Sequence, residues 1–225
     1  MQKGALIVGA GAGISGAFAR LLARNGYAVA LASRSGGERA GDVPAAVRVA
    51  CDASDPAQVA ALFTRLDAEL PPLDVVLYNP GTRVRGALID LAPADVKHSL
   101  EVTAFGAFLV AQQAVRRLLA RGSGSLLFTG ASASVKGFAG SAPFAMGKFA
   151  QRGLAQSLAR ELAPRNIHVA HFVIDGGVRS PERPEPTPDS YLDPEAIAQT
   201  YWSVVCQPRS AWTWEVELRP WVEKF

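Results

Sequence analysis

Short apolar runs alternate along this chain with longer stretches of helical period. The runs read as strands: ALIVG (5–9), YAVALA (27–32), AVRVAC (46–51), LDVVLY (73–78), GSLLFT (124–129), IHVAHFVI (167–174) and WTWEVEL (212–218). Several are apolar at every position, and such strands need cover on both faces. The intervening stretches 14–25, 56–70, 93–121 and 144–163 carry apolar residues three and four apart and supply that cover. Asp55-Pro56 and Ala92-Pro93 read as helix starts, and Gly26, Gly122 and Pro164 as helix ends. A last helix starts near Pro194. The rhythm predicts an α/β protein: a doubly wound parallel sheet of seven strands with helices on both faces.

Composition narrows the class. The chain has 225 residues, and at roughly 150 residues per domain that is one domain, 1–225, with modest elaboration. Hydrophobic residues make up 49% and charged residues 19%, enough apolar material for a large core and too little charge for disorder. The net charge is +3, but the basic residues are dispersed among 20 acidic ones, which argues against a nucleic-acid surface. No apolar run approaches the ~20 residues that span a bilayer. Cys51 and Cys206 lie far apart and no charged leader precedes an apolar stretch, so a reducing cytoplasm is expected. The segment SPERPEPTPDS (180–190), with prolines at 181, 184, 186 and 188, is expected to be an extended surface loop.

The first strand runs into a glycine loop and then a helix, in ALIVGAGAGISGAFARLL. Glycines let a backbone approach a diphosphate, and the free N–H groups that open a helix favour negative charge. Gly11, Gly13 and Gly16 satisfy G-x-G-x-x-G. A tight strand-to-helix turn is the plainer reading of so short a pattern, and its position after the first strand is what raises it.

At these residues the chain resembles the short-chain dehydrogenase/reductase family, whose turn G-x-x-x-G-x-G falls on Gly9, Gly13 and Ser15, with Ile14 between the last two. The resemblance implies a Rossmann-type fold and an NAD(P) cofactor. Ser15 replaces the last glycine, which should make close helix packing slightly harder. At the end of the second strand, where an NAD-preferring member carries an acid for the ribose hydroxyls, stand Ser33 and Arg34. Losing the carboxylate removes repulsion of a 2′-phosphate, and a guanidinium can pair with it, so NADP(H) is favoured over NAD(H). The resemblance also implies Asp52 as a contact to the adenine amino group and Ala53 as a wall of its ring. Cys51 then reads as a buried strand residue. YNPG (78–81) is similar to the family's N-N-A-G turn, matched at Asn79 and Gly81.

The catalytic positions depart from the pattern. Tyr-x-x-x-Lys falls on Phe144 and Lys148, and phenylalanine has no proton to give. The family's carbonyl-polarising serine falls on Ala131, with Ser132 adjacent and Ser134 near, and its asparagine falls on Thr103. Lys148 is kept, and the resemblance gives it a second role on the nicotinamide ribose. Ordinary carbonyl reduction through residue 144 is therefore not expected, because a general acid typically contributes about 100- to 10,000-fold. The proton would come from Ser132, Tyr191, the substrate or solvent, the last if the substrate is an activated enoyl. For Tyr191, packing of the loop is the favoured reading.

Beyond the sixth strand the family's Pro-Gly turn reads Asp175, Gly176, Gly177 and Val178. By resemblance Val178 meets the carboxamide and Ser180 the phosphates. Asp175 is expected to cap the turn through its side chain. His98, His168 and His171 are read as core or surface histidines, and no cluster has metal spacing. Residues 179–225 are then the substrate loop, last helix, last strand and tail, with Lys136–Pro143 helping to shape the pocket. Tyr201, Trp202, Trp212, Trp214, Trp221 and Phe225 near the end are read as core or subunit contact. The helices at 94–121 and 144–163 correspond to those through which family members pair, so a homodimer or homotetramer is expected. Two functions stay open: an oxidoreductase acting on a small-molecule substrate with an altered proton donor, and a catalytically inactive cofactor-binding or scaffolding protein of the same fold.

Overall fold

The computed structural model describes residues 2–180 and 182–224. Pro181 of the proline-rich loop and Phe225 of the aromatic tail lie outside the described residues. Seven strands form one sheet: β1 (Lys3–Val8), β2 (Tyr27–Ser33), β3 (Val47–Ala50), β4 (Leu73–Tyr78), β5 (Gly124–Thr129), β6 (Ile167–Ile174) and β7 (Glu215–Leu218). Every neighbouring pair is parallel, in the order β3-β2-β1-β4-β5-β6-β7. This is the expected Rossmann-like α/β sheet. The order reverses at β1, and the carboxyl ends of β1 and β4 open a crevice there, where such sheets hold ligands.

Helices α1 (Ile14–Arg24), α2 (Pro56–Glu69), α3 (Pro93–Leu100), α4 (Gly106–Arg121), α5 (Ala142–Leu162) and α6 (Pro194–Val205) cover the two faces. Successive strand residues point to opposite sides, so β1 sends Leu6 and Val8 into one core and Ala5 and Ile7 into the other. The first core is closed by α2, α4 and α5, with Phe63, Leu118 and Leu162 fully buried; the second is closed by α1 and α6, with Phe18 and Tyr201. Asp55 caps α2 by accepting from the N–H groups of Ala57 and Gln58, and Asp193 caps α6 through Glu195. Both are helix starts with proline in the first turn, as the sequence pattern predicts.

Three expectations change. The stretch 93–121 is not one regular α-helix, because a π turn over Glu101–Phe105 separates α3 from α4. Just after it, a side chain at Gly106 would sit 2.5 Å from the Tyr78 hydroxyl and 2.7 Å from the Ala53 carbonyl, so glycine is needed where α4 passes closest to the sheet. The last strand covers only Glu215–Leu218, since Trp212 instead stacks on His168, ring centres 4.7 Å apart, and donates its indole N–H to the Gln207 carbonyl. The proline-rich segment is exposed but not simply extended: Ser180 bridges back to Arg183, and Val178 pairs with Leu192. Among the described residues no helix is long and apolar enough to cross a membrane.

Candidate active site

At the carboxyl ends of β1, β2 and β4 lies a cavity of about 630 Å³. It gathers Gly9, Gly11, Ser33, Arg34, Asp52, Ala53 and Gly81, seven of the residues singled out from sequence. The glycines serve different ends. Gly9 holds a left-handed backbone at φ +82°, and a side chain there would meet the Pro80 nitrogen at 2.8 Å. Gly11 and Gly13 have open space where a side chain would be, which is room for a ligand beside the backbone. Gly16 lets α1 approach the Ala40 carbonyl, 2.8 Å from where its Cβ would lie. No side chain caps α1, so its first N–H groups face the loop free to meet an anion.

Ser15 packs without penalty. It is buried, and its hydroxyl donates to the Gly9 carbonyl at 2.9 Å, closing the loop on itself. Ile14 is half-buried and leans on the core under α1 instead of lining the cavity. Ser33 spends its hydroxyl locally, accepting from the Gly37 N–H at 2.9 Å and meeting the Ser35 hydroxyl at 3.2 Å. Arg34 is exposed on the cavity wall, and Arg39, which sequence reading missed, lines the same cavity. Asp52 accepts from the Ser54 hydroxyl and N–H, and these bonds hold its carboxyl below the usual range. Cys51 lines the cavity as a buried thiol pushed up to about 11 by desolvation, which leaves it un-ionised and a poor nucleophile. Asn79 donates to the Gly9 carbonyl at 3.4 Å and ties β4 to the glycine loop.

Gly13 and Ser180 share a second cavity of about 520 Å³ on the other side of the loop, with Arg20, Arg179 and Glu195. Gly176, at φ +151°, allows Pro220 of the tail to pack against it. Asp175 does not cap its turn. Its carboxylate instead takes ion pairs from Lys136 at 3.1 Å and Arg219 at 3.0 Å, joining the end of β6 to the loop after β5 and to the tail. Both partners are remote in sequence, so a local capping rule could not find them.

The positions that the resemblance marks as catalytic lie near the carboxyl end of β5. Lys148, buried on α5, donates to the Thr129 carbonyl at 2.7 Å and to Gln151 Oε1 at 3.1 Å. Gln151 Nε2 reaches the Thr103 carbonyl at 3.4 Å, and the Thr103 hydroxyl accepts from the Thr82 N–H at 3.3 Å. Thr103 sits in the π turn, a feature that often marks functional sites. Burial alone brings the Lys148 amine down to about 7. Its Cε and Nζ each lie 3.3 Å from where a Gly81 side chain would stand, so Gly81 leaves room for this lysine.

Phe144 is almost fully buried, its ring beneath the Arg83 guanidinium at 4.8 Å. It joins Ser132, Arg83 and Arg85 around a pocket of about 260 Å³. The serines at this turn divide. Ser132 faces that pocket, while Ser134 is fully buried and accepts from the Ala131 N–H at 3.1 Å. Ser134 is thus not part of that pocket's lining. Tyr191 packs edge-on to Gly177 and holds Arg183 over its ring at 4.7 Å, the packing role preferred for it.

His171 is fully buried behind this site. Its Nδ1 lies 3.0 Å from Glu215, which Arg152 grips with two bonds of 2.6 and 2.7 Å. Desolvation brings the imidazole down to about 4, so it is neutral near pH 7. Among the described residues, no group of three His, Cys, Asp or Glu side chains has the arrangement to hold a metal ion.

Comparison with known proteins follows the same outline. The model of the family described as short chain dehydrogenase matches residues 3–186. The 3-oxoacyl-[acyl-carrier-protein] reductase MabA of Mycobacterium tuberculosis is 30% identical over 176 residues, 78% of this chain and 69% of that protein. Among solved structures, a short-chain dehydrogenase from Rhodopseudomonas palustris is 33% identical, with a TM-score of 0.82 over 98% of this chain and 100% of the other. A short chain dehydrogenase from Burkholderia cenocepacia in complex with NADP is 28% identical, with a TM-score of 0.85 over 96% of each chain.

Proposed function

This chain belongs to the short-chain dehydrogenase family, and on that premise we propose that it is an NADP(H)-binding oxidoreductase with a non-standard proton donor, acting on a small organic carbonyl, alcohol or activated enoyl substrate. The observation that carries the cofactor reading is the wall of the 630 Å³ cavity. Arg34 and Arg39 stand there in no ion pair with a carboxylate among the described residues, Asp52 feeling the Arg34 charge only at longer range, and the acid that would repel a 2′-phosphate is replaced by Ser33. Gly9, Gly11, Gly13, Ile14, Ser15 and the free end of α1 would receive the diphosphate. Asp52 and Ala53 would take the adenine, and Asn79, Gly81, Lys148, Gly176, Val178 and Ser180 the nicotinamide half. That two structural relatives are in complex with NADP supports the same choice.

When bound, the cofactor supplies or accepts the hydride. The chain's own residues must manage the proton. Lys148 holds one at an amine brought down to about 7, a value suited to transfer near neutral pH. Ser132, which lines the same pocket as Phe144, would orient the substrate oxygen or relay the proton. Phe144, Ala131 and Thr103 offer nothing ionisable, which favours the second reading, a cofactor-binding or scaffolding protein without turnover. The exposed Phe105 and Phe108 near the start of α4, and Met146 and Phe149 on α5, form an apolar face suited to a second copy of the chain, and a homodimer or homotetramer is part of the proposal.

Fluorescence titration with NADPH and NADH, followed by cofactor oxidation assays over ketone, aldehyde and enoyl substrates, tests the reading. NADPH binding tighter than NADH, with turnover above background, is the expected result. No binding of either cofactor overturns it, and binding without any turnover leaves the scaffold reading.

A further inference from the structure

Arg20, Arg65, Arg117, Arg121, Arg152 and Arg179 each meet a carboxylate. Of the arginines that meet none among the described residues, Arg83, Arg85 and Arg183 lie close enough together to feel one another's charge. Arg83 and Arg85 line the 260 Å³ pocket with Ser132 and Phe144, and Arg83 is fixed over the Phe144 ring at 4.8 Å. Arg183 is delivered by the bridge from Ser180 to Arg183 and is held over the Tyr191 ring at 4.7 Å.

The guanidinium of Arg83 is held below its ordinary range by burial, and by the positive charges of Arg85 and Arg183. Among the described residues no carboxylate forms an ion pair with it. Lys136, on the loop after β5, gives its charge to Asp175. Like charges gathered without a counter-ion weaken a folded state unless a ligand supplies the opposite sign, and guanidinium groups match planar oxyanions with paired hydrogen bonds. The rings of Phe138 and Phe144 line the same pocket, so apolar surface stands beside the two guanidinium groups. A pocket of this size admits a small molecule and not a folded partner.

We infer that the substrate pocket is built for a carbonyl compound bearing a carboxylate, with Arg83 and Arg85 as its anion subsite and Arg183 closing over it from the 180–191 loop. This rests on the oxidoreductase reading above, and names the substrate class of that site. The arginines are specificity determinants: they hold one end of the substrate while its carbonyl lies toward Lys148 and Ser132.

The test is calorimetric binding to the full chain saturated with NADPH at low salt, using 2-oxo, 3-oxo and 4-oxo carboxylates of four to ten carbons, each paired with its methyl ester. At least one acid is expected to bind about tenfold or more tighter than its ester, the scale of a charge-assisted pair. The double variant Arg83→Ala/Arg85→Ala should bring that ratio close to one with NADPH affinity unchanged. Arg83→Lys/Arg85→Lys, which keeps the charge without the fork, should recover part of it. Equal binding of every acid and ester, or a ratio that survives the double alanine variant, overturns the inference. Failure of NADPH itself to bind would instead sink the oxidoreductase reading, so the two failures are separable. Inorganic phosphate competing as well as the best acid would also overturn the carboxylate assignment.

Discussion

The two ends of the crevice are built from different sources of order. At the glycine-loop end, most contacts are backbone: Gly9 and Ala10 donate to the Ala32 carbonyl, and Ser15 closes on Gly9. Arg34 and Arg39 line the cavity there. At the β5 end the order runs through side chains: Lys148 donates to Gln151, Gln151 to the Thr103 carbonyl, and the Thr103 hydroxyl accepts from the Thr82 N–H. Backbone geometry tolerates side-chain replacement, and a proton relay does not. On the proposed reading, this is how the cofactor residues stay close to the family pattern while Phe144, Ala131 and Thr103 stand where the resemblance has a tyrosine, a serine and an asparagine.

The sharpest way to break this contrast is to return the missing acid. Phe144→Tyr is expected to raise carbonyl reduction by about 100- to 10,000-fold if the remainder of the site is intact, read as cofactor oxidation with a panel of ketones. Pairing it with Ala131→Ser should add to the gain. If neither variant gains activity while cofactor still binds, the β5 end has lost the shape as well as the groups. At the other end, Gly9→Ala attacks the backbone itself. A left-handed φ costs an L-residue roughly 1–2 kcal/mol, and collision with Pro80 adds about 1–3 kcal/mol of overpacking. Chemical denaturation should show a loss of about 2–5 kcal/mol, with cofactor binding falling further. A near-neutral result would mean the loop is not held as tightly as its hydrogen bonds suggest.

Arg34→Ala probes the side chains of the same end with a smaller expected effect. Removing a charged partner of a phosphate costs about 1.5–3 kcal/mol, so NADPH should weaken by roughly 10- to 100-fold and NADH hardly at all. An equal loss for both would assign Arg34 to the loop's electrostatics and not to a 2′-phosphate.

The same division governs what could be read from sequence. Strands and helices were legible because their burial is periodic, and β4 and β6 are apolar or buried at every position as two-sided cover requires. The cavity residues from Gly9 to Gly81 were legible because each sits at a strand end, where topology alone determines its place. The π turn was not: Glu101 to Phe105 carries no break in helical pattern. Asp175 looked like a local cap, since Lys136 and Arg219 reach it from distant parts of the chain. Arg39, Arg83 and Arg85 carried a weak signal, basic residues just beyond Arg34 and just after the fourth strand, but their lack of partners is visible only once every other charge is placed.

Lys148 belongs to both ends, and its titration gives the last and mildest test. Burial brings it down to about 7 in the folded chain, whereas an exposed lysine titrates near ~10.4. Between these values the unfolded chain binds the extra proton, so stability rises with pH across that window. Below about 7 the ammonium is charged in both states, and the full cost of burying it is present. His171, down at about 4, loses stability only as pH falls through the range below about 6.5, outside the window. Cys51, up at about 11, opposes the trend only above the ordinary thiol range near ~8.5. Urea denaturation from pH 6.5 to 8.5 should therefore show stability increasing, and Lys148→Met should flatten the slope. If saturating NADPH also flattens it in the unaltered chain, the amine has exchanged the Thr129 carbonyl and Gln151 for the cofactor, and the two ends are coupled through this one side chain. A slope that persists in Lys148→Met would assign the pH dependence elsewhere and leave the two ends independent.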